Sequence, residues 1–429
     1  MKNIVFLFGA GAEVEYGISG GADFASTVLG INNEISIDII KNYYNSVINH
    51  NNNNKWYPKF KKTNQRVDIK KIISASLRKA LHDEEILENI NKDNFESIIK
   101  YFTKIVAERI KTNNNICIEL KQKDLDYIEK ESEKLKSIEI LLELDNDNAR
   151  HVIEKYPSYV GILDEKFYSI ISPKIYGADS FWFVVSCYTR AYLKIISDIF
   201  KKTNSQIDYN EMLNNKKGTI DKVNTEISKI TKMNKKTYYT LINDYKERIN
   251  AKIITTNYTS LVEQATGIDE IAYIHGKISR FEDPYYLKVY ESKEINNNNK
   301  VLFPYMFLQS AIKPVIELKE IDEYSKMLNY LNNSDIMIII GFSLNADDNH
   351  ITSFVRSFLE TKEVYYFDYG DDLSYYEEND LKDHKNAREN YIKRKLRIKN
   401  NNNYHHIFIN KKNGYDELKK LLIKLINSK

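Results

Sequence analysis

The chain opens on an unbroken apolar run, Ile4-Val5-Phe6-Leu7-Phe8, that stops at Gly9. A run of this length with no polar alternation predicts a parallel strand buried on both faces, followed by a tight turn into a helix. The pattern changes from about Ser36 to Ile249. Apolar residues there recur at helical spacing, as in Asn94 to Phe102 and Phe181 to Phe200, among many Lys, Glu and Tyr. Short strand-like runs then return at Ala251 to Asn257, Ile271 to Gly276 and Asp335 to Gly341, with two further strands expected at Glu363 to Asp368 and His405 to Ile409. Tyr415 to Ile426 closes the chain as an amphipathic helix with Leu418, Leu421, Leu422 and Leu425 on one side.

The pattern predicts an α/β fold, a Rossmann-like parallel sheet built from residues 1–35 and 250–429, interrupted by a large, mainly helical insertion over 36–249. The charged stretch Asp371 to Lys399 reads as a surface excursion. The asparagine runs at 51–54, 113–115, 296–299 and 400–403 suit exposed loops, because Asn competes with the backbone for hydrogen bonds.

Composition narrows the classes. The 429 residues are 42% hydrophobic and 29% charged, ample for a packed core. With 63 basic against 60 acidic side chains, the net charge of +3 does not point to nucleic acid. Two isolated cysteines, Cys117 and Cys187, exclude a disulfide framework and a four-cysteine metal site within the chain. The first apolar run meets Gly9 too soon for a leader or a membrane span, so a cytoplasmic protein is expected. The 32 tyrosines and 18 phenylalanines suit either a helical core or a subunit interface.

Candidate chemistry gathers at the ends of the predicted strands, where open α/β sheets bind ligands. Gly9-Ala10-Gly11-Ala12 is a Gly-x-Gly turn whose backbone N–H groups suit a pyrophosphate, with Gly17-Ile18, Asp23 and Phe24 close behind. Thr255-Thr256-Asn257 ends the second strand, and an asparagine there can donate to or accept from a ribose hydroxyl or a water. His275, at the tip of the third strand and followed by Gly276, is a general-base and ribose candidate. After the fourth strand, Gly341 and Ser343 offer phosphate donors, while Asn345, Asp347 or Asp348 could bond to ribose; the two aspartates equally suit helix capping. Asp368, at the end of the next strand, is a further ribose candidate.

Taken in order, Gly9 to Ala12 with Gly17-Ile18, Thr255 to Asn257, His275-Gly276 and Gly341 to Ser343 resemble the sirtuin-like family of NAD-consuming domains. The resemblance spans about residues 1–30 and 250–370. Deacylating sirtuins follow the His-Gly with a four-cysteine zinc module, and no cysteine follows Gly276; Ser19 also stands where that branch has proline. The resemblance therefore implies the bacterial sirtuin-like NAD hydrolases of antiphage defence, which cleave NAD to nicotinamide and ADP-ribose.

On that reading NAD is the substrate and no zinc or other metal is needed. Asn257 holds the ribose or the attacking water, and His275 bonds the nicotinamide ribose and assists proton transfer. Gly9, Ala10, Gly11 and Ser343 bind pyrophosphate, Asp23 faces the nicotinamide side, and Ala12, Phe24, Thr256, Gly341, Asn345 and Asp368 complete the cofactor contacts. A homo-oligomer and a partner ATPase or translocase, or a phage-derived activator, are the expected associations. A non-catalytic NAD or ADP-ribose sensor and a mono-ADP-ribosyltransferase are the competing readings.

Overall fold

The first strand, β1 (Lys2–Phe8), lies at the centre of a six-stranded sheet and is buried on both faces. Ile4, Phe6 and Phe8 enter one hydrophobic core, and Val5 and Leu7 enter another across the sheet. That split follows from the two-residue period of a strand. At about 1.5–3 kcal/mol per fully buried side chain, these five residues contribute about 10 kcal/mol before chain entropy is charged against them.

A computed structural model describes residues 1–28, 34–50, 178–283, 288–295, 300–308, 318–345, 348–370, 378–398, 402–410 and 413–428. The expected helix at 94–102 lies outside these residues, as do most of the asparagine runs.

β1 pairs in parallel with β2 (Ile249–Thr255) on one side and with β7 (Ile336–Ile340) on the other. Beyond β2 lies β3 (Ile271–Tyr273); beyond β7 lie β8 (Glu363–Tyr369) and β9 (Tyr404–Ile409), giving the order β3-β2-β1-β7-β8-β9, all parallel. The chain leaves β1 towards β2 and β3 and later returns on the opposite side at β7. The loops after β1 and β7 therefore come to the carboxyl edge of the sheet at the point where the strand order switches, the place where open α/β sheets bind ligands. The α/β sheet expected from the apolar runs is present, with strand limits within a few residues of the expected ones.

One face of the sheet carries α1 (Gly21–Val28), α2 (Ile37–His50), α3 (Ala178–Lys202), α4 (Tyr209–Asn214), α5 (Lys216–Met233), α6 (Tyr238–Tyr245) and α7 (Leu261–Thr266), with the closing α11 (Gly414–Asn427). Every described element from 37 to 245 is helical. Their buried residues, Tyr44, Tyr192, Ile227 and Tyr239 among them, form one core with Phe6 and Phe8, so these helices close the sheet face rather than stand apart from it. The opposite face is covered by α8 (Leu318–Asn333), α9 (Asn349–Leu359) and α10 (Glu378–Lys395), through Tyr330, Val355, Ile392 and Leu396.

Two elements depart from the sequence expectation. The stretch expected as a surface excursion contains the 18-residue helix α10. Parallel pairing of β8 and β9 requires a crossover, and α10 supplies it; among its described residues Ile392 is buried and Tyr391 partly so, with Leu396 buried just past its end. Second, after Gly276 the chain forms a small antiparallel sheet, β5-β4-β6, from β4 (Gly276–Asp283), β5 (Lys288–Glu291) and β6 (Phe303–Met306). Phe281 of β4 packs into the main core, and Val289, Tyr305 and Phe307 make a cluster of their own.

Candidate functional site at the carboxyl edge of the sheet

The turn after β1 is pinned to the loop after β7. Gly9 N donates to Ile340 O at 3.0 Å, Gly11 N to Gly341 O at 3.0 Å, and Ala12 N to Gly9 O at 3.0 Å. A Cβ on Gly9 would stand 2.5 Å from the Gly341 oxygen, one on Gly11 2.8 Å from the Gly341 Cα, and one on Gly341 2.2 Å from the Ala12 nitrogen. The glycines are thus required for two backbones to touch. Three of the four N–H groups of the Gly9 to Ala12 turn are thereby given to protein carbonyls. Ala10 and Gly11 remain exposed on the turn.

Beneath the turn lies a buried polar network anchored on Glu13. Its carboxylate takes the Thr259 hydroxyl at 2.8 and 2.9 Å and the Tyr239 hydroxyl at 3.5 Å. Burial pushes the Glu13 carboxyl up to about 8, against hydrogen bonds from Thr259, Tyr239 and Asn257 that act in the other direction. Glu13 follows the glycine turn directly in sequence, and a charge at that point is its only local signal. Tyr239 carries none, since α6 brings it in from the helical layer.

Asn257 joins that network to the turn. Its amide nitrogen donates to Gly9 O at 3.1 Å and lies 3.3 Å from the Tyr239 hydroxyl, and its own N–H is held by the Thr255 hydroxyl at 3.0 Å. The side-chain nitrogen is committed, so the side-chain oxygen is the atom placed to meet a ligand. Asn257 thereby loses the donor half of the donor-and-acceptor role expected of it. Thr256 beside it ties β2 to β1, with its N–H 2.9 Å and its hydroxyl 3.3 Å from Phe8 O.

His275 follows β3 and is held on both sides by the backbone. Ile274 N donates to Thr255 O at 3.1 Å, and Phe307 N donates to His275 O at 2.7 Å. Gly276 then turns with φ of 82°, and a Cβ there would lie 2.5 Å from the Tyr305 oxygen. His275 is 5% exposed, and its Nε2 stands 3.2 Å from a carboxylate oxygen of Asp348. Asp348 is the N-cap of α9 yet makes no side-chain capping bond; its carboxylate turns to His275 instead. His350, two residues further on, has its ring 6.1 Å from that of His275. Sequence patterning had no means of pairing residues 275 and 348.

The remaining candidates divide. Gly341 and exposed Ser343 lie on the loop after β7, where Leu344 adopts a positive φ of 52°, and the Asn345 carbonyl accepts from Asp348 N at 2.9 Å. Asp347 lies outside the described residues. Phe24 stacks at 6.2 Å on Tyr258, whose hydroxyl donates to Phe307 O at 2.6 Å. Asp23, at the start of α1, accepts from the Ser19 hydroxyl at 2.6 Å and meets Lys194 of α3 at 3.1 Å. The Ser19 hydroxyl, backed by Lys194, holds the Asp23 carboxyl below the usual range.

Asp368 is set apart from the others and does not offer a free carboxylate to ribose. Arg388 of α10 grips it through two bonds of 3.1 and 2.6 Å, and His406 of β9 stands at 3.1 Å. Burial would raise its pKa, but His406 and Arg388 hold it below the usual carboxylate range. Its visible task is to join β8, α10 and β9.

No protein-family model and no curated protein matches the chain. Solved structures similar to it include sirtuins. One is Sir2Tm bound to a propionylated peptide, with a TM-score of 0.24, 16% identity, and coverage of 40% of this chain and 78% of that chain. Another is a Sir2 in complex with the inhibitor EX-527, 2'-O-acetyl-ADP-ribose and a deacetylated p53 peptide, at a TM-score of 0.23, 15% identity, and 40% and 77% coverage. A Sir2 bound to an acetylated peptide gives 0.23, 16%, and 35% and 70%. Likeness this slight transfers no residue role; the fold assignment rests on the sheet itself.

Proposed function

We propose that this protein binds NAD at the carboxyl edge of the sheet, beside the joined loops that follow β1 and β7, and hydrolyses the bond between nicotinamide and ribose. The observation that carries the reading is the convergence of Asn257 and His275 on this one edge. Asn257 is bonded to the turn after β1 through Gly9, and His275 meets the segment after β7 through Asp348. In the reaction water adds to the ribose carbon, nicotinamide leaves with the bonding pair, and one proton is released.

Positive charge gathers on the ribose in the transition state, so an oriented acceptor oxygen in a dry site stabilises it. The Asn257 side-chain oxygen serves as that acceptor, for a ribose hydroxyl or for the attacking water. His275 bonds the nicotinamide ribose and takes the proton. Ala10, Gly11 and Ser343 line the exposed rim for the pyrophosphate, with Gly9, Ala12 and Gly341 fixing the two loops together; Thr256, Phe24 and Asn345 frame the site, and Asp23 anchors its α1 side. Depletion of NAD in antiphage defence, released by a partner ATPase, translocase or phage product acting on this chain or its oligomer, is the physiological role that the motif order supports.

Purified protein incubated with NAD, alone and with candidate triggers, is expected to release free nicotinamide and ADP-ribose. His275→Ala and Asn257→Ala, each verified as folded, should abolish release. Label from NAD left on a macromolecule would replace the hydrolase with a transferase. Tight NAD binding without turnover under every trigger would replace it with a sensor.

A further inference from the structure

We propose that His275, Asp348 and His350 form a binding site for a divalent transition-metal ion at the carboxyl edge of the sheet. Each offers one ligand atom, and these atoms all lie within 4.8 Å of one another. Tetrahedral coordination with bonds near 2.0–2.1 Å places ligand atoms about 3.3 Å apart. The 3.2 Å between His275 Nε2 and the Asp348 oxygen already matches that separation. Bringing all three ligand atoms to that separation requires a closure of at most ~1.5 Å from the 4.8 Å that bounds them.

Two features distinguish this trio from an accidental grouping. His275 is fixed by backbone hydrogen bonds on both sides, so one ligand is preorganised. Asp348 occupies an N-cap and forgoes the capping bond that an aspartate there ordinarily makes, directing its carboxylate at His275. Three protein ligands leave a fourth position open to water or to an exogenous oxygen, the arrangement of reactive rather than structural sites. Two imidazoles with a single carboxylate favour Zn2+, Co2+ or Fe2+ over Mg2+ and Ca2+. The positive end of the α9 dipole opposes any cation, which sharpens the dependence on the imidazoles. The absence of a four-cysteine module, from which no metal is expected, does not bear on a histidine and carboxylate site.

One consequence rests on the hydrolase reading. A metal on His275 Nε2 takes the nitrogen needed for ribose and proton, so loading should inhibit nicotinamide release. Metal binding itself is independent of that reading.

The test is titration of the chelator-stripped full chain with Co2+, followed by its visible ligand-field absorption and by equilibrium dialysis. One ion per chain, displaced by Zn2+, is expected. His350→Gln and Asp348→Asn, with unchanged circular dichroism, should each weaken binding at least tenfold, whereas His406→Gln at the separate Asp368 cluster should leave it unchanged. Lack of stoichiometric Co2+ binding, or binding indifferent to both substitutions, overturns the site. Binding as expected with NAD turnover untouched by Zn2+ keeps the metal site and removes His275 from the reaction. Binding as expected with no NAD turnover under any condition keeps the site and removes the hydrolase.

Discussion

Gly341→Ala is the perturbation that most directly probes how the loops after β1 and β7 are joined. Gly341 has φ of 70°, and a Cβ there would stand 2.2 Å from the Ala12 nitrogen, 2.6 Å from the Gly11 carbonyl carbon and 2.8 Å from the Gly11 Cα. The left-handed backbone alone costs an alanine about 1–2 kcal/mol. All three clashing atoms are backbone, so no side chain can swing aside, and the turns must part by about 1 Å to restore van der Waals contact. Parting them stretches Gly9 N to Ile340 O and Gly11 N to Gly341 O, both 3.0 Å, and a spoiled buried bond costs about 1–3 kcal/mol. With both bonds spoiled the expected loss is about 3–8 kcal/mol, a large share of the ~5–15 kcal/mol that holds a typical domain together. Urea unfolding followed by circular dichroism measures it, with Gly20→Ala as control. Nothing lies within 4 Å of a Cβ at Gly20, so that variant should stay within about 1 kcal/mol of the parent. A loss below about 1 kcal/mol for Gly341→Ala would refute the argument that these glycines exist for loop-to-loop contact.

Other expectations follow from the same network. Glu13 has its pKa raised to about 8 from an ordinary 4.5, so its contribution to stability is complete below about 4.5 and is lost as pH rises through about 8. Glu13→Gln should therefore flatten the melting temperature between pH 5 and 8, and an unchanged pH profile would show that the buried carboxyl is not the titrating group. Arg388→Met strands the Asp368 carboxylate, which is 3% exposed, with only His406; the cost should be about 2 kcal/mol by urea unfolding, moderated because Arg388 itself is partly solvated. Tyr239→Phe removes one partner from both Glu13 and the Asn257 amide. It should cost about 1 kcal/mol and reduce any nicotinamide release by loosening Asn257, whereas unchanged release would show that the Gly9 carbonyl alone positions that side chain.

Local pattern by itself determined a good deal here. The continuous apolar runs at Ile4 to Phe8 and Ile336 to Ile340 specify strands buried on both faces, because no one-sided strand tolerates such a run, and the stops at Gly9 and Gly341 locate the turns. The leucine spacing of α11 announced its packed face, and the strand tips carrying Asn257 and His275 were visible as points where apolar runs give way to polar residues. Helix α10 was not legible, since among its described residues only Ile392 is fully in the core, with Tyr391 and the following Leu396 beside it; the need for a crossover between parallel strands decides its form.

What tertiary structure alone decided is which atoms remain for chemistry. Asn257 spends its nitrogen on a residue 248 positions away, Asp348 leaves its own helix for His275, and Asp368 is taken by Arg388 and His406. Periodicity reports which face of an element is buried; it holds no record of partners brought close by the order in which six strands assemble.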